Sequence, residues 1–338
     1  MRIDRLVIVT DAWEPQINGV VNTLRNTKIE LERMGIEVRM ITPQGFKTMP
    51  LPTYPEIKIA LVRTRTIRGL IEGIKPDALH IATEGPLGWA ARAAAIKNSW
   101  PYTTAYHTRF PEYFSSRTRI PASWIYPLIR FFHRSSSAIL VPTPKMIKFL
   151  EGKQLVNLKL WTRGVDHSIF NVRVNQPKSE EPIFIFVGRV SLEKNIEAFL
   201  ELDLPGKKIV VGDGPSMTSL SASYPDTCFL GYKTHSEIAA LLNQADVFVF
   251  PSRTDTFGLV MVEAMACGLP VAAFPVEGPI DVIGDSGAGV LDEDLGRACI
   301  RALKIPKHLP VERAHDFTWE KATKQFYECL TPIEYSRD

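Results

Sequence analysis

The 338-residue sequence lacks any apolar run of about 18 residues, the length that a membrane-spanning helix requires. The first apolar run, residues 6–10, stops at Asp11 and is too short for the core of a signal peptide. These two absences predict a cytoplasmic protein.

Cysteine is also scarce, and its spacing fits neither a C-x2-C metal site nor a disulfide framework. The four cysteines are Cys228, Cys267, Cys299 and Cys329. We expect core thiols in a reducing compartment. Hydrophobic residues make up 45% and charged residues 23%, which is typical of a folded protein, and the length suffices for two domains.

Two binding motifs are missing as well. No G-x-G-x-x-G follows the first strand-like run, which argues against an NAD-dependent oxidoreductase. Residues 1–170 carry 24 Lys and Arg against 13 Asp and Glu, whereas the remaining residues are net acidic. This asymmetry indicates an anionic partner for the first half, either nucleic acid or an anionic lipid surface. Because no nucleic-acid recognition motif appears and the second half is acidic, we expect no nucleic-acid partner.

Short apolar, β-branched runs recur along both halves of the chain, with helical patterns between them. They are residues 6–10, 38–42, 78–81, 103–106 and 138–141, then 183–187, 208–211, 228–230, 247–250 and 271–273. Runs without polar alternation are typical of parallel strands that are covered on both faces. The sequence therefore predicts an α/β protein with two parallel sheets.

A polar, proline-containing stretch, residues 171–182, separates the two series and is the predicted linker. We place one domain at residues 1–171 and the other at 172–338. Residues 311–330 have a helical pattern, and the sequence allows this helix to pack on either domain.

Candidate ligand groups follow the strands of the second domain, because open parallel sheets bind ligands beyond the carboxyl ends of their strands. Gly188-Arg189 and Lys194 follow the first of these strands. The guanidinium fork of Arg189 and the point charge of Lys194 suit a diphosphate. Solvated surface charges are the alternative explanation.

Residues 251–270 predict a loop and then a helix that starts near Phe257, after a buried strand. The free amides of such a helix end form a seat for an anion, and Gly258 permits close approach. Glu263 could accept both hydroxyls of a ribose, and Asp255 could accept from a transferred sugar. The alternative makes Glu263 a surface acid and Asp255 an N-cap.

This stretch resembles the acidic-x7-Glu signature of retaining glycosyltransferase family 4, with Asp255 where most members carry Glu. Gly188-Arg189 with Lys194 resembles the donor-diphosphate pair of that family. The turn at residues 212–215, the first loop at residues 10–21 and the segment at 106–110 resemble three further family motifs. The likeness covers nearly the whole chain. It implies the GT-B architecture, two Rossmann-like doubly wound parallel-sheet domains facing a cleft. The nearest groups are bacterial diacylglycerol glycosyltransferases and GDP-mannose-dependent mannosyltransferases.

The resemblance also implies roles for individual residues. Those expected to be catalytic are His107, Asp255, Arg189 and Lys194. His107 would hydrogen bond to the transferred sugar, including its C6 hydroxyl, rather than act as the principal base. The residues expected to bind the donor are Asn18, Gly19, Gly188, Arg189, Lys194, Gly212, Tyr232, Asp255, Phe257, Gly258, Leu259 and Glu263.

The implied reaction is same-face attack on the sugar, in which the leaving diphosphate takes the acceptor proton. We find no Asp-x-Asp motif that would hold a metal against the diphosphate, so we expect no obligatory metal ion or other cofactor. Residues 231–235, which should face the base, lack an acid to pair with guanine. This favours a UDP-hexose such as UDP-glucose, or UDP-glucuronate, as donor, with GDP-mannose as the alternative.

Residues 109–134 interleave arginines, among them Arg117 and Arg119, with aromatic and aliphatic side chains, a composition typical of an anionic membrane interface. A core helix with charged flanks has the same composition. The resemblance favours a lipid acceptor such as diacylglycerol, contacted by Glu84, Arg109 and Trp124, with the protein peripheral on the cytoplasmic membrane face. An epimerase acting on the sugar nucleotide alone is the alternative of another class.

Overall fold

A computed structural model describes residues 2–16, 18–51, 54–118, 120–173 and 179–335. The chain divides into two compact units. Unit 1 comprises Met1–Thr162 and Trp319–Asp338, and unit 2 comprises Arg163–Thr318. In the part of the chain covered by these ranges, no helix is both long and apolar enough to cross a membrane.

Unit 1 contains a six-stranded parallel sheet in the order β2-β1-β5-β6-β7-β8 and an antiparallel hairpin of β3 and β4. Strand β1 is buried at four of its five residues because helices cover both faces of the sheet. The strands are β1 (Arg5–Val9), β2 (Glu37–Ile41), β3 (Thr48–Leu51), β4 (Tyr54–Ala60), β5 (Ala78–Ile81), β6 (Thr103–Ala105), β7 (Ala138–Val141) and β8 (Leu158–Leu160).

Most helices of unit 1 lie between successive strands of the sheet, with two helices between β6 and β7 and a 3-10 helix at Pro43–Gly45. They are α1 (Gly19–Arg33), α2 (Thr64–Ile74), α3 (Pro86–Lys97), α4 (Phe110–Thr118), α5 (Ala122–His133), α6 (Pro144–Gly152) and, at the end of the chain, α14 (Trp319–Glu328).

Unit 2 contains a second six-stranded parallel sheet, in the order β11-β10-β9-β12-β13-β14. Counted from β9, this is the strand order 3-2-1-4-5-6 of dinucleotide-binding folds, with its switch point between β9 and β12. The strands are β9 (Ile183–Val187), β10 (Lys207–Val211), β11 (Cys228–Phe229), β12 (Val247–Phe250), β13 (Val271–Ala273) and β14 (Gly289–Leu291).

The helices of unit 2 cover both faces of this sheet, with a 3-10 helix at Leu192–Lys194. They are α7 (Glu197–Leu200), α8 (Met217–Ser223), α9 (His235–Gln244), α10 (Leu259–Ala266), α11 (Glu277–Ile283), α12 (Leu295–Ala302) and α13 (His308–Ala314).

The units divide at 162/163 and 318/319, whereas the sequence placed the boundary at 171/172. Residues 163–170 belong with unit 2 because Val165 and Phe170 are part of its core, and the amide of Val165 donates to the carbonyl of Phe317 at 3.2 Å. The helical pattern at residues 311–330 forms two helices, α13 and α14, and only α14 packs in unit 1.

Candidate active site

The loops that follow β9 and β12 lie side by side at the switch point of unit 2. The side-chain amide of Asn195 donates to the carbonyl of Pro251 at 3.0 Å, and the hydroxyl of Thr254 donates to the carbonyl of Glu193 at 3.3 Å. These bonds bring together two stretches that the sequence analysis treated separately, the cationic stretch and the acidic-x7-Glu stretch.

Two predicted catalytic residues form an ion pair at this point. Lys194 Nζ lies 2.6 Å from Asp255 Oδ1, and 23% and 15% of the two side chains are exposed. The second oxygen, Asp255 Oδ2, is buried, and no residue in the described ranges hydrogen bonds to it. An ionised carboxylate with an oxygen to spare can accept a hydrogen bond from a ligand hydroxyl.

The turns after β9 and β10 pack backbone against backbone. A Cβ atom on Gly212 would overlap the carbonyl oxygen of Gly188, and one on Gly214 would overlap that of Val190. Gly212 also has a φ of +132° and donates its amide to the carbonyl of Gly231 at 2.8 Å. Only glycine allows the two backbones to come so close. The glycines of these turns therefore determine the backbone surface next to Arg189. The Arg189 side chain is one-third exposed, with Nε 3.9 Å from Glu193 Oε1.

Helix α10 begins at Leu259, and the preceding residue, Gly258, adopts a left-handed conformation with a φ of +85°. A Cβ atom there would lie 2.7 Å from Met261 Cε and 2.9 Å from Phe250 Cζ. Gly258 has no side chain with which to cap the helix, and a first helical turn without a side-chain cap is the arrangement that an anion seat requires.

Glu263 lies in the second turn of α10 and is only 7% exposed. Burial raises the pKa of its carboxyl to about 7, and no charged group among the described residues contributes to the shift. A buried acid without a compensating cation lowers the stability of the fold. Such residues are often found where a ligand binds.

The switch point of unit 1 lies between β1 and β5 and contains a residue that the sequence analysis did not single out. The carboxylate of Asp11 accepts hydrogen bonds from the Thr83 hydroxyl at 2.9 Å and from the amides of Leu87 at 2.8 Å and Gly88 at 3.2 Å. Burial is the largest cause of the raised pKa of Asp11. Its position directly after the first apolar run, residues 6–10, was the available signal.

Asn18 caps α1, because its Oδ1 accepts hydrogen bonds from the amides of Val20 and Val21, both at 3.0 Å. Gly19 is the first residue of that helix. His107 follows β6, is 9% exposed, and packs edge-on against Trp161 with ring centroids 5.4 Å apart.

Glu84 follows β5 and is held by a histidine that sequence reasoning missed. Its Oε1 lies 3.2 Å from Nε2 of His133, whose Nδ1 lies 2.8 Å from the hydroxyl oxygen of Thr104. His133 is the last residue of α5 and is fully buried. Because 49 residues separate His133 from Glu84, no local sequence pattern predicts this pair.

Comparisons with known proteins identify the family of this chain. The profile "Glycosyltransferase Family 4" matches residues 17–169, and "Glycosyl transferases group 1" matches residues 168–308. A GDP-mannose-dependent alpha-mannosyltransferase of Mycobacterium tuberculosis is 30% identical over 317 residues, which cover 85% of this chain and 83% of that protein. This chain belongs to glycosyltransferase family 4.

Two other relatives of the glycosyltransferase carry different names. The sulfoquinovosyl transferase SQD2 of Arabidopsis thaliana is 32% identical over 81% of this chain, which spans 60% of the length of the plant protein. An alpha-monoglucosyldiacylglycerol synthase of Streptococcus pneumoniae is 26% identical over 96% of this chain and 85% of its own. The prediction of a glycosyltransferase that uses a nucleotide sugar is confirmed.

The fold prediction is confirmed as well. Sucrose-phosphate synthase from Thermosynechococcus elongatus matches this glycosyltransferase with a TM-score of 0.77 at 20% identity, over 96% of this chain and 98% of that chain. With two parallel-sheet units, the enzyme has the GT-B fold.

Three predicted donor-binding residues of the glycosyltransferase differ in what their side chains can do. Phe257 is 4% exposed and packs in the core, edge-on against Phe317 at 5.6 Å, so only its backbone could face a ligand. Leu259 is partly buried against the same core. Tyr232 is 56% exposed and is therefore accessible to a nucleotide base.

The predicted acceptor residues also differ in accessibility. Arg109 is 11% exposed, lies 4.3 Å above the ring of Phe149, and is 3.6 Å from Glu112, so it is part of the packing of unit 1. Trp124 on α5 is 76% exposed. The Arg117 side chain and Arg119 lie outside the described part of the structure.

The sequence reading missed one Asp-x-Asp tripeptide, which occurs at Asp292-Glu293-Asp294. Both aspartates are engaged: Asp292 accepts two hydrogen bonds from Arg297 at 2.6 and 2.7 Å, and Asp294 caps α12. The arginine contacts hold the pKa of Asp292 well below its usual range. Within the described ranges, no group of three or more His, Cys, Asp or Glu side chains is arranged to bind a metal.

Proposed function

We propose that this glycosyltransferase moves a hexose from a UDP-sugar, with retention of configuration, to a lipid acceptor such as diacylglycerol at the surface of a membrane. The observation that carries the acceptor proposal is the outer face of α5, where Trp124 is 76% and Leu128 is 53% exposed. A water-exposed tryptophan and leucine on one helix favour contact with a lipid interface.

The acceptor class is supported by a relative. The similar Streptococcus pneumoniae protein is named for a glucosyldiacylglycerol product. The proposed acceptor hydroxyl would approach the loop of Glu84, whose carboxylate His133 orients. A protein that binds the bilayer peripherally through α5 would meet such an acceptor in the membrane plane.

The preference for a uridine base rests on the segment that precedes α9. The nearest acid to Tyr232 along the chain is Glu237, whose Oε2 accepts hydrogen bonds from the amide and the hydroxyl of Thr234 at 2.8 and 2.7 Å. This capping box uses the carboxylate that a guanine would otherwise pair with. A base without that requirement, such as uracil, fits the segment better.

The proposed chemistry uses the residues at the switch point of unit 2. Arg189, Lys194 and the amides at the start of α10 stabilise the charge that grows on the leaving diphosphate. Glu263 accepts the ribose hydroxyls, and Asp255 accepts from a hydroxyl of the transferred sugar. The acceptor oxygen attacks the anomeric carbon on the face that the diphosphate leaves, and a diphosphate oxygen takes its proton. Side chains and backbone amides stabilise the negative charge of the diphosphate, so the proposed reaction requires no metal ion.

GDP-mannose is the second candidate donor, because the Mycobacterium tuberculosis relative named for it is 30% identical over 83% of its length. The experiment is a thermal-shift screen of UDP-glucose, UDP-glucuronate, GDP-mannose, UDP and GDP. A ligand at 100 times its Kd raises stability by about 2.7 kcal/mol. Stabilisation by the GDP compounds alone would transfer the proposal to GDP-mannose.

The acceptor is tested next with the donor that the screen selects. Radiolabelled donor is incubated with diacylglycerol in vesicles, and the organic phase is counted. A labelled glycolipid is the expected product. Label that stays in the aqueous phase on a saccharide acceptor, with none on lipid, would overturn the lipid proposal. Turnover of the nucleotide sugar without any acceptor would favour an epimerase.

A further inference from the structure

A cavity lies in unit 1 beside the second half of α5. It has a volume of about 340 Å³ and is bordered by exposed and half-buried residues of α5, by buried His133 at the end of that helix, and by the turn that precedes β8. Its apolar wall is formed by Phe131, Ile139, Leu155 and Val156. This volume is at the lower end of the range for small-molecule sites, which are mostly apolar with a few placed polar groups.

Two arginines from the last turns of α5 line the same cavity. Arg130 donates a hydrogen bond to the carbonyl of Lys153 at 3.2 Å, and the guanidinium of Arg134 lies 4.2 Å from the ring centroid of Phe131. These contacts fix the arginines through a neutral carbonyl and a ring. Among the ion pairs of the described residues, none involves Arg130 or Arg134.

A third cation reinforces this charge from inside. Arg92 is buried and donates to the carbonyls of Phe131 and Phe132 at 2.8 and 2.9 Å. Its guanidinium lies 4.6 Å from the ring centroid of Phe131. The cavity therefore combines an apolar wall with an excess of positive charge at the end of α5. A ligand that fits it needs both an apolar part and a negative charge.

We infer that this cavity binds one anionic phospholipid of the bilayer, with part of an acyl chain against Phe131, Leu155 and Val156 and the phosphate between Arg130 and Arg134. Guanidinium forks match phosphate oxygens in geometry and charge. The lipid source is favoured because exposed Trp124 and Leu128 belong to the same helix. This site shares buried His133 with the Glu84 loop but uses different cations, Arg130 and Arg134, and it stands whether or not the proposed donor and acceptor are correct.

The test uses monomeric ligand and no bilayer, so that general docking on a charged surface makes no contribution. Dihexanoyl-phosphatidylglycerol is titrated into the full chain below its critical micelle concentration by isothermal titration calorimetry. Dihexanoyl-phosphatidylcholine provides the same chains on a zwitterionic headgroup, and glycerol phosphate provides the headgroup without chains. We expect saturable binding of the first ligand and at least tenfold weaker binding of the other two.

Two variants and one control locate the site. R130Q/R134Q removes the cations, and V156W fills the cavity from a residue that is 61% exposed, where the larger side chain leaves the fold intact. Each should weaken binding at least tenfold. R25Q/K97Q removes the same charge from exposed cations of unit 1 outside the cavity and should bind like the wild type.

Several results would overturn the inference. They are the absence of binding by the wild type, equal binding of phosphatidylcholine, equal binding of glycerol phosphate, and an equal loss in the R25Q/K97Q control. If R130Q/R134Q fails to fold, V156W alone decides between a cavity and a surface effect. The readout needs no catalysis, so failure of the glycosyltransferase proposal would leave the result interpretable.

Discussion

Lys194 Nζ and Asp255 Oδ1 are 2.6 Å apart, although 61 residues separate them in the chain. The pair forms because β9 and β12 are neighbours in the sheet and both residues lie in the loops that follow them. Asp255 thus has one oxygen for the lysine, while the described residues leave Oδ2 to a ligand. In the proposed reaction this carboxylate would position a cation beside the leaving group and would also accept a hydrogen bond from the sugar.

Asp255→Asn should lower turnover more than it lowers the affinity for free UDP. The amide keeps the shape but loses the charge-assisted hydrogen bond, which is worth about 1.5–3 kcal/mol, or roughly 10- to 100-fold. Steady-state kinetics and UDP titration give the two values, with exposed Glu293→Gln as control. Equal losses in turnover and UDP binding would give Asp255 a purely structural role.

Glu263→Gln should weaken donor binding by about 1.5–3 kcal/mol, because a neutral amide replaces the charged acceptor of two ribose hydroxyls. The same variant should be more stable than the wild type at pH 8. Ionising the buried carboxyl is unfavourable in the folded protein, because its pKa is about 7 there and 4.5 for an ordinary glutamate. The gain at pH 8 is up to about 3 kcal/mol, measured by denaturant unfolding. A folded variant with wild-type donor affinity would remove Glu263 from the site.

The affinity for the donor should also depend on pH through Glu263. As pH falls through about 7 the carboxylate gains a proton and loses acceptor capacity, so wild-type affinity should fall while that of Glu263→Gln stays level. Stability moves the opposite way, because the raised pKa makes the folded protein more stable as pH falls from 7 towards 4.5. Calorimetric titration of the donor between pH 6 and pH 8 measures the first effect. The same slope in the variant would assign it to another group.

Transfer should be insensitive to EDTA and should retain the anomeric configuration of the donor. The reason is that cationic side chains and helix amides, rather than a metal, stabilise the diphosphate in the proposed reaction. Proton NMR of the glycoside product reports the anomer directly. A product of inverted configuration, or activity that vanishes with EDTA and returns with magnesium, would contradict the proposed mechanism.

Unit 1 should dock on anionic vesicles through α5 and the basic residues at 63, 65, 68 and 109–134. Basic residues near such a surface contribute about 1 kcal/mol each and are screened by salt, whereas burial of Trp124 is not screened. Binding should therefore weaken at high salt without vanishing. Co-sedimentation with phosphatidylglycerol vesicles compares wild type with Arg117→Glu/Arg119→Glu and Trp124→Ala, and exposed Leu61→Ala is the control. Protein that stays in the supernatant at low salt would contradict membrane docking and favour a soluble acceptor.

The sheet strands were largely predictable, because apolar runs such as Val247–Phe250 are buried at every position. Two of the four edge strands were not: Leu158–Leu160 is mostly exposed, and Gly289–Leu291 has one buried residue. The hairpin of β3 and β4 also escaped prediction, since Pro50 and Pro55 interrupt its pattern. Burial on both faces selects the apolar run by which a strand is recognised in a sequence, and these strands lack such a run.

The donor-binding role of the unit 2 residues stays a prediction, but the proximity of Lys194 and Asp255 was predictable because both lie in loops that follow strands of one parallel sheet. Hydrogen bonds between distant segments were not predictable, because only the folded sheet brings the partners together. Examples are the bonds between Asp11 and Leu87 and between Glu84 and His133. The packing of Arg109 on Phe149 was equally hidden, because a basic-aromatic composition describes a buried stack and an exposed interface alike.

The last helix supplies part of the interior of the first unit. Phe326 of α14 is fully buried, with ring centroids 4.8 Å from His80 and 4.9 Å from Trp161. The chain leaves unit 1 at Thr162 and returns to it only at Trp319. During synthesis on the ribosome, Arg163–Thr318 therefore emerges in full before Phe326 does. Residues 1–162 of unit 1 are therefore synthesised first, but the hydrophobic core of unit 1 is complete only after α14 has emerged.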